Sequence, residues 1–179
     1  MSAKKIITIV VFGVAFGAGL YFWAINADRT PILDGSFFDA KNSSFEVDGI
    51  SVLLTDGLAE EKTAPESASK TITRYFGNEA IGDLNGDGKE DAAFVITRDG
   101  GGSGVFYYVV AAIRTDAGYD TTGAFFLGDR IAPQSSEIRD GKLYVNYAER
   151  KEGEPMSENP SVGATKTLVV TSGSNLEEE

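Results

Sequence analysis

Short apolar runs separated by turn residues fill most of the chain after residue 44. Runs such as AAFVITR (92–98) and VFYYVVAAIR (105–114) are rich in β-branched and aromatic residues, which favours strands. Glycine-rich turns join them, among them DGGGSG (99–104) and three Asp-Gly pairs that favour tight hairpins: Asp48-Gly49, Asp56-Gly57 and Asp140-Gly141. The pattern predicts a mainly β fold, a single compact antiparallel domain of seven to nine strands, in which KTITRYFG (70–77) alternates like a strand but could equally form one short helix.

The N-terminal part of the chain has a different pattern. IITIVVFGVAFGAGLYFWAI (6–25) is a run of 20 uncharged residues, long enough as a helix to span the ~30 Å core of a bilayer. Lys4 and Lys5 precede it, so the positive-inside rule places residues 1–5 in the cytoplasm and the rest of the chain outside. The alternative is a cleaved signal peptide with Ala27 before the cut, although the apolar run exceeds an ordinary signal core.

These features divide the chain. We expect a cytoplasmic stub (1–5), a single-pass anchor (6–25), a linker (26–44), a β domain in the periplasm or outside the cell (45–172) and an acidic tail (173–179). The membrane, through residues 6–25, is then one partner of the protein.

Composition excludes several kinds of chemistry. The chain has no cysteine and no histidine, which removes disulfides, thiolate or imidazole metal ligands and histidine-dependent triads. Beyond residue 27 it has 14 basic and 27 acidic residues, a net charge of −13. So acidic a domain repels phosphate backbones, and we expect no nucleic-acid partner.

GDLNGDGKED (82–91) concentrates acidic residues in one turn. Counted from Asp83, oxygen-bearing side chains stand at positions 1, 3, 5 and 9, and the carbonyl of Lys89 at position 7 can point inward. Hard Ca²⁺ takes six to eight such oxygens, so the spacing predicts a calcium loop over 83–91. An EF-hand would need Glu at position 12, where this chain has Phe94, a residue that the pattern buries in the next strand. A turn without metal, held by side chain to backbone hydrogen bonds, is the other interpretation.

The loop runs directly into the strand AAFVI, and in this it resembles the D-x-[DN]-x-D-G-x-x-D loops of FG-GAP and VCBS-type repeats and, more distantly, of dockerins. The resemblance covers about fifteen residues and implies a structural Ca²⁺ bound by Asp83, Asn85, Asp87, the Lys89 carbonyl and Asp91. The unit occurs once here, whereas the propeller families repeat it, so neither a propeller nor an adhesion role is implied.

A wider stretch, about 75–170, is similar to a group of uncharacterised bacterial envelope proteins, many of them lipoproteins or membrane-anchored. Four segments carry that likeness: GDLNGDGKEDAAFVI, GGGSGVFYYVVAA, FFLGDRI and EIRDGKLYVNYAERKEGEPM. It implies location and fold but no activity.

Other motifs carry little chemistry. GGGSG lacks the lysine and the following helix of a phosphate-binding loop, and Ser67-Ala-Ser-Lys70 lacks the partner motifs of penicillin-recognising enzymes. YAERKEGEPM (147–156) could form a partner-binding loop, and Tyr107 beside Tyr119 could form a ligand platform if both faced solvent. No catalytic residue stands out.

The sequence therefore predicts a membrane-anchored, calcium-binding envelope domain with an interaction or surface-structural role rather than catalysis, its envelope protein or glycan partner unidentified. Two alternatives remain. One is an envelope glycan hydrolase that uses paired carboxylates, and the other is an inhibitor or binding module for a secreted enzyme.

Overall fold

The computed structural model describes residues 38–62, 69–172 and 175–179. Residues from Phe38 onward form one compact unit. The predicted anchor at 6–25 and its signal-peptide alternative lie outside the described residues. Within the described ranges, no helix has the length and apolar character needed to cross a bilayer.

The mainly β prediction is confirmed, but the described ranges contain twelve strands rather than seven to nine. The only helical turn in them is a 3-10 turn at Ala40–Asn42, and KTITRYFG belongs to a long strand. The strands are β1 (Ser44–Val47), β2 (Ile50–Leu53), β3 (Leu58–Lys62), β4 (Lys70–Gly82), β5 (Asp91–Asp99), β6 (Phe106–Thr115), β7 (Gly118–Thr121), β8 (Phe125–Asp129), β9 (Ala132–Arg139), β10 (Lys142–Glu149), β11 (Val162–Val170) and β12 (Leu176–Glu178).

These strands form three antiparallel sheets. The central sheet has the order β3-β4-β5-β6-β7, and β8 pairs with the first half of β6. The outer sheet has the order β12-β11-β10-β9, and β1 with β2 forms an N-terminal hairpin. The residues grouped above as an acidic tail thus include a paired strand, β12, and the fold begins at Phe38, within the residues grouped as linker.

The central sheet is buried on both faces because successive side chains of a strand point to opposite sides. On β5, Ala93 and Val95 pack into a core shared with the outer sheet. Phe94 and Ile96 pack into a second core beneath the N-terminal hairpin. This double burial explains why β5 and β6 are apolar at nearly every central position.

Asp-Gly pairs make the hairpin turns, as the sequence predicts. Both residues have positive φ at 48–49, 56–57 and 140–141, the backbone conformation that a tight two-residue hairpin requires. The first of these turns joins β1 to β2 and the last joins β9 to β10. The N-terminal hairpin and the β9–β10 pair therefore owe their register to local turn chemistry.

One glycine marks where the two large sheets meet most closely. Gly82 ends β4, and a methyl group at that position would lie 2.9 Å from Ile138 Cβ on β9. Such a distance is shorter than a carbon–carbon contact permits. The close approach brings the end of β4, and the loop that follows it, against the outer sheet.

Candidate metal site

The aspartate loop, residues 83–90, joins β4 to β5 at the end of the central sheet. Gly82, the last residue of β4, pairs with Asp91, the first residue of β5, so strand pairing fixes both ends of the loop. Gly86 and Gly88 have φ values of 79° and 82°, and a side chain at either position would meet nothing within 4 Å. The glycines are thus required by backbone conformation rather than by crowding.

Asp83 lies at the centre of the turn. Its Oδ1 accepts hydrogen bonds from the backbone amides of Gly86 (2.7 Å) and Asp87 (3.1 Å). Its Oδ2 accepts one from Gly88 N–H at 2.9 Å. Three successive donors around one carboxylate wrap the backbone into a ring whose amides point inward.

Asn85 and Asp87 tighten the same ring. Asn85 Oδ1 accepts a bond from Asp87 N–H at 3.0 Å, and Asp87 Oδ1 accepts one from Lys89 N–H at 2.9 Å. These are Asx-type turns, which bend the chain locally. Asp87 Oδ2 accepts no bond from a loop amide and lies 4.0 Å from Lys89 Nζ.

The Lys89 ammonium makes its shortest contact with an acid outside the loop. Its Nζ donates to Asp116 Oδ1 at 2.7 Å, in the turn between β6 and β7. This hydrogen bond raises the pKa of Lys89 and lowers that of Asp116. The lysine charge is therefore directed chiefly at a carboxylate outside the loop.

Asp91 is fully buried and differs from the other loop acids. Its Oδ2 accepts bonds from the amides of Leu84 (2.8 Å) and Asn85 (3.3 Å), and its Oδ1 accepts one from Arg114 N–H at 2.8 Å. Arg114 lies on β6, so this single carboxylate joins the start of the loop, β5 and β6. The sequence spacing predicts Asp91 as a metal ligand, but it does not predict that its carboxylate joins the loop, β5 and β6.

The oxygen chemistry of the loop fits a hard cation in part. Asp83, Asn85 and Asp87 are at least partly exposed and carry the carboxylate and amide oxygens that Ca²⁺ prefers. Asp83 and Asp91 each have both oxygens bonded to backbone amides, and no group of three or more acidic side chains within the described ranges has the arrangement of a metal site. Calcium binding by the five predicted residues stays a prediction.

Among the described residues, the other candidates from the sequence have structural roles. Tyr107 packs against Phe76 and Tyr119 against Phe38, and these contacts belong to opposite faces of the central sheet. The two tyrosines therefore do not form a common platform. DGGGSG forms the turn between β5 and β6, and Ser67 lies outside the described residues.

The loop after β10 is held by its own arginine. Arg150 Nε donates to the carbonyl of Glu158 at 2.6 Å, and its Nη1 donates to the carbonyl of Arg130 at 2.8 Å. These bonds tie the loop to the connection between β8 and β9. Met156 of the same loop is 54% exposed.

Carboxylates with a shifted pKa do not show the pattern of a glycosidase acid. The clear shifts at Glu60, Asp116 and Asp129 all lower the pKa, chiefly through hydrogen bonds to Lys70, Lys89 and Arg130. A general acid in glycoside hydrolysis needs a raised pKa. None of these three groups suits that role.

Comparison with known proteins adds no relative. The chain matches no protein-family model, no curated protein and no solved structure.

Proposed function

We propose that this chain is a membrane-anchored, extracytoplasmic domain that binds one structural Ca²⁺ in the loop 83–91 and serves an interaction or surface-structural role. The observation that supports it most is the ring of backbone around Asp83. Three amides bond to this one carboxylate, and two glycines with positive φ let the chain close around it. The same loop holds Asn85 and Asp87, whose amide and carboxylate oxygens are of the kind that Ca²⁺ prefers.

The proposed ligands are Asp83, Asn85, Asp87, the carbonyl of Lys89 and Asp91, with water completing the shell. A divalent cation would offset the repulsion among the loop carboxylates, which the Lys89 ammonium relieves little because it bonds to Asp116. The role of the ion is structural, because the loop joins two central strands of the fold. Extracellular modules of this kind bind Ca²⁺ with dissociation constants of about 10⁻⁴ to 10⁻³ M.

The first test is thermal unfolding of the full-length chain with Ca²⁺ and with chelator. At a Ca²⁺ concentration about ten times Kd, binding to the native state alone adds about 1.4 kcal/mol, a rise in Tm of about 3 to 5 °C. Asp87→Ala should lose most of that rise. In chelator it should cost less than about 1 kcal/mol, since it removes only the bond from Lys89 N–H.

Asp120→Ala is the matched control, because it removes an acid of β7 that lies outside the loop and contributes no proposed ligand. The Asp120 side chain is exposed, and the variant should keep the full response to Ca²⁺. An unchanged Tm of the parent protein in Ca²⁺, or equal effects of Asp87→Ala in both buffers, would show the loop to be a turn without metal.

The location is proposed from the apolar segment at 6–25, with the basic residues before it and the acidic domain after it. Expressed in a bacterium, the full-length chain should remain in the membrane fraction after a carbonate wash. External protease applied to spheroplasts should digest the β domain. A soluble mature chain that begins near Asp28 would instead identify a cleaved signal peptide, and a protected domain would contradict the proposed topology.

A further inference from the structure

A cleft of about 420 Å³ opens on the face of the central sheet that carries the N-terminal hairpin. Three aromatic rings line it, those of Phe106, Tyr108 and Phe126, together with the charged side chains of Asp48 and Arg98. Asp48 belongs to the turn of the hairpin, and the other four belong to β5, β6 and β8. The cleft therefore lies where the end of the hairpin meets the central sheet.

The rings form an exposed apolar surface with fixed geometry. Phe126 is 50% exposed and Phe106 is 39% exposed, although most large apolar residues of this domain are buried. The Phe126 ring centroid lies 5.4 Å from that of Tyr108 and 6.3 Å from that of Phe106. Because strand pairing between β6 and β8 holds all three, the surface exists before any ligand arrives.

The polar part of the cleft is also held in place. Asp48 Oδ2 accepts a hydrogen bond from Tyr108 Oη at 3.0 Å and lies 3.4 Å from Arg98 Nη1. Arg98 also donates to the carbonyl of Val47 and lies 3.5 Å from Glu61. Burial and the bond to Asp48 raise the pKa of Tyr108 to about 12, so its hydroxyl stays neutral at physiological pH.

The charge that this region presents to solvent is negative. The Asp48 side chain is 62% exposed, whereas that of Arg98 is 11% exposed and lies between two carboxylates. The nearby pairs Lys70–Glu60 and Asp129–Arg130 are each neutral. Two half-exposed phenylalanines therefore stand beside a net acidic group.

We propose that this cleft binds a segment of a partner protein that presents a large apolar side chain next to lysine or arginine. The volume suits one aromatic side chain with its neighbours, and exposed aromatic rings attract both apolar groups and cations. A second copy of this chain is a poor occupant, because its domain carries a net charge of −13 and would be repelled. The inference rests on the interaction role proposed above and is independent of Ca²⁺.

Fluorescence anisotropy with labelled peptides tests the proposal on the full-length chain in phosphatidylcholine nanodiscs, with empty nanodiscs as blank. One peptide carries a phenylalanine between two lysines, a second has alanine for the phenylalanine, and a third has glutamates for the lysines. We expect the first to bind with Kd below about 1 mM, and the other two to bind at least about tenfold more weakly. Added salt should weaken the first interaction.

Variants locate the binding. Phe126→Ala should raise the Kd of the first peptide by about tenfold, and Asp48→Asn should raise it by about threefold. Asparagine tolerates the positive φ of position 48 and can still accept the Tyr108 bond, so that variant keeps the fold. Phe76→Ala is the matched control, since Phe76 is 42% exposed and does not line the cleft.

Several results would overturn the proposal. One is equal affinity for the lysine and glutamate peptides. Another is an unchanged Kd in both cleft variants, Phe126→Ala and Asp48→Asn. A third is a rise in Kd for Phe76→Ala as large as that for Phe126→Ala. Self-association in sedimentation that Phe126→Ala abolishes would assign the cleft to a second copy. Any of these outcomes would leave the calcium titration unaffected, so the two proposals fail separately.

Discussion

Replacing Asp91 by alanine should destabilise the domain by about 3 kcal/mol or more. The change leaves three backbone amides, those of Leu84, Asn85 and Arg114, without the carboxylate that accepts their bonds. An unsatisfied buried donor costs about 1 to 3 kcal/mol. Since domains of this size are stable by only about 5 to 15 kcal/mol, the loss should be plain in urea unfolding.

The measurement belongs in chelator, so that metal binding contributes nothing. Asp91→Asn, whose amide oxygen can still accept bonds, should be intermediate between alanine and the parent. Asp120→Ala, at an exposed position on β7, should change the free energy of unfolding by less than about 0.5 kcal/mol. If Asp91→Ala cost no more than that control, the bridging role of Asp91 would be wrong.

Phe94→Ala should cost about 3 to 5 kcal/mol, the usual range for truncation of a buried phenylalanine. Phe94 has no exposed surface and lies in the second core beneath the N-terminal hairpin. Three rings surround it, with centroids 5.7 Å away at Phe38, 5.8 Å at Phe45 and 6.3 Å at Tyr75. These neighbours sit on separate elements and cannot close together over the space left by the ring.

Urea unfolding of Phe76→Ala provides the comparison for this effect. Phe76 is 42% exposed and contacts Tyr107 at its edge, so its truncation should cost less than half as much. Equal costs for the two variants would mean that the N-terminal hairpin is not packed on Phe94 as described. Retention of the native near-ultraviolet dichroism by Phe94→Ala would support local loosening rather than a changed fold.

Local signals predicted much of this fold. The Asp-Gly turns and the hairpin of β5 with β6 depend on residues close in sequence, and all appear where the pattern places them. The burial of Phe94, which argues against an EF-hand, is also confirmed. Such features can be predicted because one turn or one continuous apolar run determines each of them.

The remaining features depend on partners distant in the chain. β12 has only three residues, Leu176–Glu178, two of them charged, and it is a strand because it pairs with β11. Asp91 satisfies the spacing of a calcium loop, yet its bond to Arg114 reaches across 23 positions. The aromatic cleft joins Asp48 to Tyr108 across 60 positions. No local pattern specifies such contacts.

The two cores of the domain draw on different parts of the chain. The second core, around Phe94, uses only residues from Phe38 to Ala124, whereas the first requires Leu143, Leu168 and Leu176. A chain that emerges from its N-terminus can therefore complete one face of the central sheet while the other is still bare. Until β9 to β12 follow, Val95, Val109 and Leu127 lie on an uncovered apolar face. That interval during synthesis is when this domain is most exposed to aggregation.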